Sequence, residues 1–277
     1  MYQARPLLLL IAHGSRDPRH AATVHALAER VRSLRPELRV ETAFLDFNAP
    51  SVPGLLDRLA AQARERGARR EVVALPVLLS RAFHAKTDIP AVLREGSVRH
   101  PLLRIRQAPV LGPSPLLLRA LDRRLAEAGL SAVDRPSTGV VLAAAGSSDP
   151  EAAAVIAGIA REWARAGWCA VRPAFASASL PRTEDVVREL RAAGARRVAV
   201  APYVIAPGRL PDRIVAGADA AGADVLAEVL GPAPEVARLL LARYEETAGS
   251  LAADSFVSGA LTGDPFHGPR VPAPRSA

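Results

Sequence analysis

Cysteine is almost missing: Cys169 is the only one in 277 residues. One thiol closes no intramolecular disulfide, so the fold must hold without covalent staples and a reducing cytoplasm is the expected compartment. Aromatic residues are also scarce, at 4%, against 49% hydrophobic residues. The core must therefore be built mostly from Leu, Val and Ala. No apolar run reaches the ~18–20 residues of a membrane span. The first apolar segment, 7–12, meets Gly14-Ser15 almost at once, which is too short for a secretory signal and reads as a buried strand. Lysine is nearly absent, Lys86 being the only one, so Arg carries nearly all of the excess behind a net charge of +8. Such a balance points to a polyanionic partner. No dense Lys/Arg run with interleaved aromatics is present, nor a zinc-finger or RRM pattern, so no nucleic-acid partner is expected. A small molecule carrying many carboxylates fits scattered arginines equally well, and so does a solvated basic surface without a partner.

What the chain does contain is itself, twice. Leu8 to Pro18 (LLLLIAHGSRDP from Leu7) matches Val140 to Pro150 (VVLAAAGSSDP). Ala43-Phe44 matches Ala174-Phe175, and Pro50 matches Pro181. Gly67-Ala68-Arg69-Arg70 matches Gly194-Ala195-Arg196-Arg197, and 110–115 matches 229–234. Blocks recurring in the same order mark a duplication. The halves are 1–130 and 138–248, joined near Ser131–Ser137, and 249–277, rich in small residues and proline, reads as a flexible tail.

Within the first half, short apolar runs at 7–12, 39–45, 72–78 and 103–107 alternate with helical patterns at 18–34, 52–66, 87–95 and 115–128. The second half repeats this from 139–144 through a last helix at 234–247. Runs apolar on both faces suit buried parallel strands. The expected fold class is α/β: two tandem similar domains, each a parallel sheet flanked by helices.

His13 closes the first strand, where open α/β sheets bind ligands. His84 follows the third strand. With strand order 2-1-3-4, the two would face one crevice, 71 positions apart in sequence. Two imidazoles there suit a borderline divalent metal. A hydrogen-bonded turn histidine is the bland reading of His13. Asp46 follows the second strand, and caps the next helix or reaches the crevice edge. Arg16, Arg81 and Lys86 are nearby cations. His20 and His25 read as helix-surface residues, His100 as a loop residue and His267 as part of the tail. Gly14 to Pro18 and Gly146 to Pro150 read as helix starts with Asp N-caps. A helix N-terminus can hold an anion, but the Gly-x-Gly-x-x-Gly and Walker patterns are missing.

The duplication supplies its own control. Ala145 stands where the first half has His13, the His84 counterpart falls near Leu210, and Asp46 becomes Ser177. The scaffold blocks recur in both halves while the candidate ligands occur in one, which points to a single active site.

The segment Ile11-Ala12-His13-Gly14-Ser15-Arg16-Asp17-Pro18, then Ala43 to Asp46, then Leu75 to Pro90 with His84-x-x-x-Asp88-Ile89-Pro90, resembles the sirohydrochlorin chelatases of class II. The likeness runs to about residue 248. It implies two similar α/β domains around a cleft, and insertion of Co²⁺ or Fe²⁺ into sirohydrochlorin for cobalamin or siroheme. It implies that His13 is a metal ligand and proton acceptor and that His84 is the second ligand. Leu79, Ser80, Arg81, Ala82 and Phe83 would line the tetrapyrrole pocket, with Asp46 and Arg16 as further substrate contacts. Many members carry Glu where this chain has Asp46. The metal is a substrate and no tightly bound cofactor is expected. The long form implies a monomer, because one chain supplies both halves. Two other readings stay open on residue chemistry: a metal-delivery protein without insertion, and an anion- or nucleotide-binding enzyme using the Gly-Ser helix starts.

Overall fold

The computed structural model describes residues 5–81 and 84–260; the side chains of residues 84, 85 and 252–260 fall outside that description. The first half runs β1 (Leu7–Ala12), α1 (Pro18–Leu34), β2 (Val40–Phe44), α2 (Val52–Glu65), β3 (Arg70–Pro76), a π-helical turn (His84–Asp88), α3 (Ile89–Arg99), β4 (Leu103–Gln107) and α4 (Pro115–Glu127). A short 3-10 segment, Ala132–Ser137, links it to the second half. There follow β5 (Thr138–Ala144), α5 (Pro150–Ala164), β6 (Ala170–Phe175), α6 (Thr183–Ala192), β7 (Arg197–Tyr203), α7 (Arg209–Ala220), β8 (Val225–Leu226) and α8 (Pro234–Ala260).

All pairing within the two sheets is parallel, in the orders β2-β1-β3-β4 and β6-β5-β7-β8. The central strands β1 and β5 are buried along their whole length. That burial explains their unbroken apolar sequence, since helices cover both faces. In each sheet the first strand lies between the second and third, so chain direction reverses beside the carboxyl ends of β1 and β3, and of β5 and β7. These are the switch points where α/β sheets take ligands.

The helices do not all stay with their own sheets. The fourth helix of the first half, α4, packs on β7, while α8 packs on β3, β4 and α1. One large core joins Leu8, Leu10 and Leu121 to Leu142, Trp163 and Leu240. Two smaller cores, under α2 and α3 and under α6 and α7, belong to one half each. Tyr244 in α8 donates a hydrogen bond to the Pro6 carbonyl at 2.7 Å, and Trp163 donates its indole N–H to Asp122 at 3.0 Å.

Two helices run past their expected ends. The helical pattern at 87–95 extends as α3 to Arg99, past Gly96, where a Cβ would come within 2.4 Å of Leu56 Cδ1. Glycine there permits close approach of α3 to α2. The expectation of a tail from 249 is corrected: α8 remains helical to Ala260, and Leu251 is buried in the shared core. Packing of Leu251 in the shared core accompanies the extension of the helix past its expected end at 247. Residues 261–277, including His267, lie outside the described residues. Among the described residues no helix is long and apolar enough to cross a membrane.

Candidate active site

The corner after β1 is fixed by glycine. Gly14 has φ +94°, and a Cβ there would sit 1.9 Å from the Asp46 carbonyl oxygen. Only glycine combines that backbone region with that approach. The corner is then stitched shut: Asp46 N–H donates to the His13 carbonyl at 2.9 Å, and Ser15 N–H to Asn48 Oδ1 at 2.8 Å. Asp17 caps α1 by accepting from Arg19 N–H at 2.9 Å, and its own N–H donates to Ser15 Oγ at 3.0 Å. The second half copies this. Gly146 has φ +89° and a Cβ there would stand 1.9 Å from Ser177 O. Asp149 N–H donates to Ser147 Oγ at 3.1 Å, and Glu151 N–H to Asp149 Oδ1 at 3.0 Å.

These bonds decide one open alternative. Leading amides of both helices already have partners inside the corner, so the Gly-Ser turn is a structural joint. It does not present the cradle of open N–H groups that an anion site requires.

Between the two corners lies a cavity of about 420 Å³. The first half contributes His13, Ser15, His20 and the segment Val77–Ser80; the second contributes Ile156, Phe175, Tyr203 and the segment Val204–Pro211, among others. Its walls are largely aliphatic, with few polar groups, as in sites for flat organic ligands.

His13 sits at this wall, half-buried. Its Nδ1 lies 3.1 Å from the Gly14 carbonyl. A carbonyl can only accept, so Nδ1 is the donor in that contact, and in the neutral ring Nε2 is the nitrogen that can act as a ligand or base. The ring lies 6.3 Å from that of Phe47, over which Arg16 stacks at 5.2 Å. Phe47 takes a left-handed backbone, φ +61°, mirrored by Ala178 at +56°.

Of the other expected site residues, Leu79 and Ser80 line the cavity. Asp46 does not: it is exposed, and its Oδ1 accepts the Phe47 N–H at 2.8 Å, turned back on its own loop. One carboxylate with one methylene is short enough to close that local ring. Arg16 is held at the rim by Phe47, and Arg81 is exposed outside the wall. Ala82 and Phe83 lie outside the described residues, as does the His84 side chain. The His84 backbone opens the π-helical turn, four residues beyond the cavity-lining Ser80. Among the described residues, no three His, Cys, Asp or Glu side chains gather closely enough to hold a metal alone.

Two cavity residues escape sequence reasoning. His20 reads as a helix-surface residue, but it lines the cavity, and its Nδ1 is buried without a hydrogen-bond partner among the described residues. Burial pushes its pKa down, the nearby His13 adds to the shift, and Asp17 opposes it. One helical turn past the β1 corner brings its ring back over the strand end, a placement that helix periodicity alone does not reveal. Tyr203, at the end of β7, is 2% exposed, and its hydroxyl has no partner among the described residues. Burial raises its pKa. Strand register makes it the counterpart of Val77: Ile11 pairs with Pro76 as Ala143 pairs with Pro202. The remaining histidines are structural or peripheral. His100 is buried and bonded to Asp57 at 2.7 Å, while His25 is exposed, 3.3 Å from Thr42 Oγ1.

Comparison with known proteins agrees with this layout. The CbiX family model matches residues 7–128 and again 139–247. A sirohydrochlorin cobaltochelatase from Priestia megaterium is 29% identical over 210 residues, 75% of this chain and 66% of that protein. A sirohydrochlorin ferrochelatase from Bacillus subtilis is 27% identical over 250 residues, 88% of this chain and 92% of that one. The structure of SirB from Bacillus subtilis with Fe³⁺ superposes with a TM-score of 0.77 at 25% identity, covering 90% of this chain and 98% of that one. Two tandem matches to one model, covering most of the chain, place this protein in the CbiX family.

Proposed function

We propose that this protein is a sirohydrochlorin chelatase, inserting Co²⁺ or Fe²⁺ into the macrocycle to supply cobalamin or siroheme synthesis. The observation that carries the reading is His13, mounted at a strand end and facing a largely aliphatic cavity shared by both halves. The metal is a substrate here, and no resident cofactor is needed. The reading includes a monomer in the cytoplasm with no nucleic-acid partner.

Insertion exchanges two pyrrole N–H protons for one divalent ion. His13, with its lone pair on Nε2, can hold the ion or accept a departing proton, and both roles need the neutral ring. His84, on the loop whose earlier residues form the wall, is assigned as the second ligand. Two protein ligands leave coordination positions open for pyrrole nitrogens, so the ion is passed on rather than trapped. Leu78, Leu79, Ile156 and Phe175 offer an apolar bed for the ring. The acid side chains of the substrate would then point toward the rim, where Arg16 and Arg81 stand. Asp46 serves the corner in this conformation, with a substrate contact open to it only if it releases the Phe47 N–H.

A delivery protein that only carries metal has no use for an apolar cavity of this size, so the geometry favours insertion. Anaerobic mixing of the protein with sirohydrochlorin and Co²⁺ or Fe²⁺, followed by absorption, tests the reading. Rapid conversion above the uncatalysed rate is expected. Stoichiometric metal binding with no conversion would return the delivery reading.

A further inference from the structure

Two ion-pair groups tie the halves together beside the cavity mouth. Lys86, in the π-helical turn, reaches Asp149 Oδ2 at 2.8 Å and Glu151 Oε2 at 2.7 Å at the start of α5. Arg19, at the start of α1, is paired with Asp17 of its own half at 2.6 Å and reaches Asp212 Oδ2 in α7 at 2.9 Å. Their neighbours in sequence, His20, Ala152 and Pro211, line the cavity itself.

The two groups are the same contact related by the duplication, with the charges exchanged. Position 19 corresponds to 151, as His13 does to Ala145, and position 86 corresponds to 212, as Val77 does to Tyr203. In this exchanged pair both cations belong to the first half and the acids Glu151 and Asp212 to the second, while Asp17 and Asp149, at equivalent positions, pair with Arg19 and Lys86 as well. The first half therefore presents Arg19 and Lys86 on one rim and the second half presents Glu151 and Asp212 on the other.

These pairs are exposed. Side-chain exposure is 36% for Lys86, 75% for Glu151, 53% for Arg19 and 55% for Asp212. Exposed pairs hold weakly and exchange partners readily. Their hydrogen bonds nevertheless keep both cations charged and aimed across the mouth. A polycarboxylate ligand entering the cavity brings carboxylates to the same place.

We propose that Lys86 and Arg19 are substrate-carboxylate residues held in waiting by Asp149, Glu151 and Asp212, which the carboxylates of the tetrapyrrole displace as it enters. The inference rests on the chelatase reading and deepens it. It gives the second half a function in the same site: its acids occupy the cations beside the cavity until a more highly charged ligand competes for them.

The test is titration of the full chain with metal-free sirohydrochlorin, followed by absorption, beside its methyl-esterified form. Lys86→Met and Arg19→Met should each weaken binding of the free acid roughly 10-fold and leave the ester unaffected. Glu151→Gln combined with Asp212→Asn leaves Arg19 with Asp17 and Lys86 with Asp149, but each cation loses one competing carboxylate, so binding of the acid should tighten about 2- to 3-fold, whereas a clasp that only supports the fold would show weaker or equal binding. Thermal melts confirm folding of each variant. Equal affinity in all variants, with the wild type binding, overturns the exchange and leaves the chelatase reading standing. A wild type that binds no sirohydrochlorin overturns both.

Discussion

The corner after β1 carries His13, with His20 one turn into α1; the corner after β5 carries Ala145 and Ala152 at the equivalent positions. The glycine, the Asp cap, the left-handed residue and the stitching hydrogen bonds are the same in both. What persists in both halves is what the backbone demands, and what differs is chemistry. A duplicated scaffold thus separates structural from functional residues inside one chain. The second half is not an inert copy, however: it contributes Tyr203 where the first has Val77, and the acids that hold Lys86 and Arg19.

The comparison breaks most sharply at His13. His13→Ala should lower insertion by about 100-fold or more, the usual range for loss of an acid–base or ligand group. Steady-state rates with folding checked by circular dichroism decide this, and a loss under tenfold would remove His13 from the centre. The scaffold prediction is next in size. Gly14→Ala and Gly146→Ala should each destabilise by roughly 2–4 kcal/mol, from left-handed strain plus a clash with a carbonyl oxygen. Urea unfolding should show similar costs for both, and a harmless Gly146→Ala would mean that the second corner is no longer needed.

The helix exchange gives a comparable effect. Leu251→Ala should cost about 2–4 kcal/mol, as for other buried leucines, because α8 completes the core over the first sheet. A surface-like cost under 0.5 kcal/mol would show that the helix end is dispensable. His20 supplies a pH signature. Its folded pKa lies below the ordinary 6.5, so below that pH the unfolded chain takes up the proton first and stability falls with acid. His20→Leu should flatten the loss of Tm between neutral pH and about pH 5. An unchanged slope would assign the acid sensitivity to other groups. The smallest expected effect is at Tyr203. Removing a hydroxyl with no protein partner, as in Tyr203→Phe, should leave apo stability equal or raise it by up to about 1 kcal/mol. A marked loss of stability would mean that the hydroxyl has a fixed water or backbone partner.

Much of this was legible in sequence. The apolar runs at β1 and β5 and the Asp-Pro helix starts appear as expected, because each rests on local patterning, and the strand order assumed for the crevice, 2-1-3-4, is the one observed. The duplication points to the first half as the one expected to carry the chemistry, since His13 corresponds to Ala145 and Asp46 to Ser177 across the repeat. What sequence missed depends on tertiary geometry. The helices read at 87–95 and 234–247 run on to Arg99 and Ala260, with close packing of α3 on Leu56 and of Leu251 in the shared core. His20 shows no periodic signal for the cavity, since only the angle between α1 and β1 turns it inward. Asp46 reads in sequence as either a crevice carboxylate or a helix cap, and its short side chain closes on Phe47 N–H, a local ring that sequence does not reveal. The cross-half ion pairs were hidden because their partners lie 63 to 193 positions apart.

The most direct measurement compares two pseudo-equivalent positions in one assay: anaerobic Co²⁺ insertion into sirohydrochlorin by His84→Ala and by Leu210→Ala. If the chemistry lives in the first half alone, His84→Ala should lose insertion by about 100-fold while Leu210→Ala keeps it within a few-fold. Equal losses, or full activity in His84→Ala, would contradict a single metal-handling site in the first half.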